Sequence, residues 1–211
     1  MIDHEIFQRS ELLVQNIIEI IDLPAYGNSA RIAVSGNLCQ MSIEHSCAFR
    51  SLAESRMFAS SFVVLRAQFE SAVRALWAHY SASDHQISRV SAHLNPESEQ
   101  SAKNLPGVEA MLDSLETVPN AKVPFNALAE FKDSAWRALN SYTHGGIHPL
   151  NRLATGYPME LIIANVKVSN ALAMITAMQF CILTGVDGLQ KQLNPLIERF
   201  DDCFPAHRVG A

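Results

Sequence analysis

Arg137 and His144 stand seven positions apart in a chain of 211 residues. On a helix that spacing brings them within about 20° in azimuth, roughly two turns apart, so both project from one side. A guanidinium suits a phosphate through its paired N–H donors, and an imidazole titrates near neutral pH, so the pair is a candidate for proton transfer beside a phosphate. The same residues also have a purely local reading. A histidine in the last turn of a helix interacts favourably with the negative end of the dipole, and Gly145 or Gly146 can adopt the left-handed conformation that closes a helix.

A second pair lies upstream in FASSFVVLRAQFESAVRALWAHY. Phe62, Val73, Trp77 and Tyr80 fall within about 40° of Arg66, and Glu70 falls about 40° to its other side. Arg66 and Glu70 therefore project from the apolar face of this helix. Burying a charge costs several kcal/mol unless it is paired and hydrogen-bonded, so the placement demands a partner. Either the two side chains form an internal pair that sets helix register, or they line a functional pocket. Arg74, about 80° from Arg66, is placed toward solvent.

The elements that must position these residues are helical throughout. Apolar residues recur at helical spacing nearly everywhere and alternating β-branched stretches are missing, which predicts an all-α fold, a helical bundle of about five long helices. The first spans 4–22 and stops at DLPAYGNS, where Pro24 and Gly27 break it and Asn28 or Ser29 caps the next. The second runs through 30–55 and the third through 57–82. The fourth, about 124–144, buries Leu128, Phe131, Ala135, Leu139 and Tyr142, with Arg137, Asn140 and His144 on the opposite side. The fifth covers about 158–185, and a final amphipathic segment starts anew near Pro195. His148, before Pro149, reads as a loop residue. Residues 1–211 form a single helical domain in this reading, with a polar insertion of short helices and loops at about 83–123.

Composition bounds the function. With 48% hydrophobic and 18% charged residues the chain has ample material for one core, and a net charge of −5 gives no global basic field for nucleic acid. RNA would have to be met through a local patch. Cys39, Cys47, Cys181 and Cys203 lack metal-ligand spacing and read as reduced thiols. A His144/His148 pair lacks a third ligand, so no metal and no cofactor is expected. No signal-like run opens the sequence, and Asn165, Lys167, Asn170 and Gln179 punctuate the apolar stretch 159–185, which argues against a membrane span. A cytoplasmic chain is the expectation. Phosphate-binding glycine loops, zinc-protease helices and serine elbows are absent.

The segment from Arg137 to His144 is similar to the R-x(4–6)-H signature of the HEPN (higher eukaryotes and prokaryotes nucleotide-binding) superfamily. More closely, LRAQFESAVRALW followed downstream by SYTHGG resembles an uncharacterised bacterial all-helical family that carries an LRxxFExxxRxxW helix and a SYTHGG turn, over about residues 40–185. The HEPN resemblance implies a dimer in which two such motifs meet in a cleft and cut RNA without metal. Arg137 would then stabilise charge on the phosphate and His144 would move a proton or orient the phosphate, with Asn140 and Tyr142 supplying secondary hydrogen bonds and Arg66 and Glu70 supporting the pocket. Ala138 stands where active members often carry a polar residue, and HEPN relatives include non-catalytic members.

Two functional classes follow. One is a HEPN-like endoribonuclease of toxin or phage-defence type, working as a homodimer on RNA and paired with an antitoxin or other protein. The other is a non-catalytic dimeric helical module that binds a protein partner or a nucleotide, with Arg66, Glu70 and His144 as a structural polar network.

Overall fold

The computed structural model describes residues 4–206 and is all-helical, with ten α-helices and no strand among the described residues. The first three are α1 (His4–Ile21), α2 (Ala30–Glu54) and α3 (Phe58–Tyr80). Ser29 caps α2 by accepting a hydrogen bond from the Ile32 N–H at 3.3 Å, as its place after the Pro24–Gly27 break predicts. α2 and α3 pack along most of their length.

The polar stretch that follows holds three short helices, α4 (Asp84–Val90), α5 (Pro96–Ala102) and α6 (Val108–Asp113). Ser83 and Gln86 form a reciprocal capping box at the start of α4, and Asn95 and Ser98 do the same for α5. Then come α7 (Lys122–Thr143), α8 (Ile147–Thr155), α9 (Met159–Thr184) and α10 (Asn194–Arg199), with Pro195 in the first turn of α10.

α8 corrects the expectation that His148 lies in a loop. Proline is tolerated in a helix's first turn, where its missing N–H has no intrahelical partner, so Pro149 does not prevent the helix. The first turn of α8 is capped from the helix before it: Ser141 Oγ accepts the His148 N–H at 3.1 Å.

α9 lies against α1, α2 and α3. It is long and apolar enough to cross a membrane by length and composition, and half of its most apolar window is buried within the fold. Several of its buried polar residues are matched to neighbours, whereas Gln179 Nε2 is buried without a partner. Gln68 Nε2 donates to the Ser169 carbonyl at 2.8 Å and Gln68 Oε1 accepts from Ser169 Oγ at 2.7 Å. Ser46 and Ser169 hydroxyls meet at 3.2 Å, Ser42 and Thr176 at 3.1 Å, and Asn170 Nδ2 donates to Ser10 Oγ at 2.8 Å. These bonds fix the rotation of α9, because a shift by one residue would leave each buried group unpaired.

Candidate functional site

The site is built where α3 meets α7. On α3, Arg66, Glu70 and Arg74 follow one another at four-residue spacing, and on α7 Trp136, Asn140 and His144 do the same. Residues four apart on a helix are surface neighbours, so each trio makes a stripe. The two stripes line one cleft of about 440 Å³, closed on a third side by Gly107, Val108 and Glu109 at the start of α6.

Packing beneath the cleft holds the stripes together. Phe69 is fully buried, with its ring 4.7 Å from Phe131 and 5.5 Å from Trp136, centroid to centroid. Burial of such a ring is worth roughly 1.5–3 kcal/mol and joins α3 to α7 beneath the polar groups. Burial of Val108, Met111 and Leu112 docks α6 as the third wall, and Lys132 of α7 reaches Glu109 at 3.6 Å and Asp113 at 3.9 Å beside it.

Arg66 is the best-positioned charge. Its Nη2 lies 2.8 Å from Glu70 Oε1, and its Cζ lies 5.0 Å from the centre of the Trp136 ring. The pair is about four-fifths shielded from solvent, with side-chain exposures of 22% and 23%. Even so, Arg66 Nε is buried without a hydrogen-bond partner, and so is Asn140 Oδ1 across the cleft. The first is a donor and the second an acceptor.

Two arginines and two glutamates line the cleft, so their formal charges balance. Glu70 is matched by Arg66 and Glu109 by Lys132, while Arg74 is exposed and has no carboxylate within ion-pair distance among the described residues. His144 stands exposed at the end of α7, its backbone N–H donating to the Asn140 carbonyl at 3.2 Å. Gly145 follows at φ +63°, and the Gly146 N–H returns to the Ser141 carbonyl at 2.7 Å, closing the helix as its glycine pair predicts. His144 thus both ends the helix and borders the cleft.

Among the residues singled out by sequence, Arg66, Glu70, Asn140 and His144 come together. Arg137 is exposed on the same helix and does not line this cleft within one chain. Tyr142 points elsewhere. It is buried against Phe62 at 4.7 Å and lines a separate groove between α7 and α9. Burial, and then the adjacent Tyr157, push its hydroxyl pKa well above the usual tyrosine range. Trp136, Arg74 and Glu109 were not singled out as site residues. The i, i+4, i+8 spacing would have pointed to Arg74 and Trp136, whereas nothing local places Glu109.

Among the described residues no three histidine, cysteine or carboxylate side chains gather into a metal-ligand cluster. The four cysteines are unpaired, and burial raises the Cys181 thiol to about 11 and Cys39 further, so both are protonated at neutral pH.

Residues 39–206 match the model of DUF6988, a family of unknown function. The chain belongs to DUF6988. No curated protein and no solved structure matches it. The matched region of this DUF6988 chain includes every residue of the cleft and all of α3, α6, α7 and α9, in keeping with the resemblance to an uncharacterised family.

Proposed function

We propose that this DUF6988 protein is a HEPN-like, metal-independent endoribonuclease whose α3–α7 cleft receives the scissile ribose phosphate. The observation that carries this reading is the unpartnered pair in the cleft wall, Arg66 Nε and Asn140 Oδ1. A buried polar atom left unpaired costs about 1–3 kcal/mol, and a ligand that repairs both must offer an acceptor and a donor together. A phosphate oxygen accepts from Nε–H, and a ribose hydroxyl donates to Oδ1. RNA carries both groups on neighbouring atoms.

In the proposed reaction the 2′-oxygen attacks phosphorus as the bond to the 5′-oxygen breaks, leaving a 2′,3′-cyclic phosphate. One histidine takes the 2′-hydroxyl proton and another protonates the departing 5′-oxygen, so two copies of His144 are needed and a homodimer is implied. Arg66, held by Glu70, and Arg137 from the dimer would offset charge on the phosphorane oxygens. Ile147, Leu150 and Leu153, exposed along α8 just after His144, offer an apolar edge for the second copy. A toxin or defence role, with an antitoxin or other protein as controlling partner, fits an enzyme of this kind.

One observation favours a second reading. Arg137 lies outside the cleft, so the arginine–histidine pair is not assembled within one chain. The same cleft could then bind a nucleotide, or a protein partner, without cutting.

The test is incubation of purified protein with a varied RNA set in EDTA, beside His144→Ala, Arg66→Ala and Arg137→Ala. Cleavage with cyclic-phosphate ends, reduced about 10²–10⁴-fold in His144→Ala, is expected. Equal cleavage by all four proteins, or none by the wild type, overturns the nuclease; RNA binding without cleavage selects the second reading.

A further inference from the structure

The groove on the other flank of α7 is independent of the cleft. It encloses about 340 Å³ between α7 and α9, and it exists because small residues face each other there: Ser134, Ala135 and Ala138 on α7, Ala164 on α9. Its floor is apolar, with Phe62, Phe131, Leu139, Leu161 and Val168. The α8 end is different. Arg152 and His148 line the groove there together with Tyr142.

Arg152 is half-buried and has no carboxylate within ion-pair distance among the described residues. Arg152 and the Tyr142 phenol line the same groove. One end of an apolar groove therefore carries an uncompensated cation. Partly buried cations are costly without an anion, and an anion here would have an apolar channel beside it.

We propose that this groove binds a small monocarboxylate with an apolar tail, the carboxylate at Arg152 and the tail along Phe62, Phe131, Leu161 and Val168. The carboxylate accepts N–H bonds from the guanidinium. The tail replaces water over the alanine-lined gap. The size of the groove suits a medium-length chain or a single aromatic ring.

Isothermal titration of the full chain with octanoate, octanol and acetate tests this. Saturable binding of octanoate at one site per chain is expected, with octanol at least about 10-fold weaker and acetate undetectable. Arg152→Gln should weaken octanoate about 10-fold and leave octanol unchanged. Ala138→Phe should abolish binding by filling the gap, with circular dichroism to verify the fold; Ala164→Phe fills it from the other wall if the first variant loses helix. Absence of octanoate binding by folded wild type, equal affinity for octanol, or undiminished octanoate binding by Arg152→Gln overturns the proposal.

Discussion

Arg66 and Asn140 belong to different helices, yet each leaves one buried polar atom unpartnered in the same cleft, a donor on α3 and an acceptor on α7. Neither atom needs the other's element to fold. Under the proposed function a bound RNA satisfies both atoms, and Glu70 and Trp136 hold the Arg66 guanidinium in place.

Replacing Arg66 by lysine keeps the charge but removes the Nε–H and the flat surface over Trp136. Arg66→Lys and Asn140→Leu are each expected to weaken RNA binding about tenfold, measured by fluorescence anisotropy at fixed salt. Wild-type affinity in both would mean that the cleft is not where RNA is held.

Glu70 secures the Arg66 guanidinium in a site that is mostly shielded from water. Glu70→Ala leaves that charge without its anion and should lower unfolding stability by about 1–2 kcal/mol, less than for a fully buried pair because both side chains keep some solvent. Urea denaturation reads the change, and an unaltered midpoint would assign the pair no stabilising part.

At the end of α7, a Cβ built on Gly146 would meet Ser141 Oγ at 2.6 Å. Gly146→Ala must displace the hydroxyl that caps His148 and should cost about 1–3 kcal/mol, and Ser141→Ala about 1 kcal/mol through the lost cap. Thermal unfolding followed by circular dichroism distinguishes them; equal stability in Gly146→Ala would show that the turn can open without strain.

Gln68 is fully buried and exchanges two hydrogen bonds with Ser169. Gln68→Ala removes both and opens a void, so a loss of about 2–4 kcal/mol is expected in chemical denaturation. A loss below about 1 kcal/mol would show that water or repacking replaces the two hydrogen bonds.

The pairing of Arg9 with Asp202 at 2.6 Å ties α1 to the segment after α10. The hydrogen bond from Arg9 holds the Asp202 carboxyl below its usual range. A depressed acid contributes stability above its unfolded pKa and loses it as pH falls through the folded one. Stability should therefore decline on acidification below about pH 4, and Asp202→Asn should flatten that part of the profile. Both groups are partly exposed, so the effect is modest and salt-sensitive. Parallel acid profiles for the two proteins would assign the decline to other carboxylates.

The sequence made some of this readable. The inward placement of Arg66 and Glu70 follows from rotating 100° per residue, because the apolar residues around them define the buried side. The end of α7 at Gly145 is likewise a local matter of backbone conformation. Arg137 shows the limit of the same reasoning. Its azimuth matches that of His144, but a wall requires a facing element, and only α3 and α6 together decide which part of α7 is covered. Glu109 and Val108 come from a polar stretch with no strong periodicity, and their arrival at the cleft follows from burial of Val108, Met111 and Leu112 in the common core. α8 stayed hidden because Pro149 signals a break, while its cap is supplied by Ser141, seven residues before the N–H that it satisfies.

That shared serine also restricts how the chain can vary. Its backbone closes one helix and its hydroxyl opens the next, so the joint between α7 and α8 has no slack. A residue inserted between 141 and 148 could not be absorbed as a longer loop. It would turn α8 about its axis, carrying Arg152 away from its groove. Relatives that keep both cavities should therefore keep the length of this joint even where its side chains change.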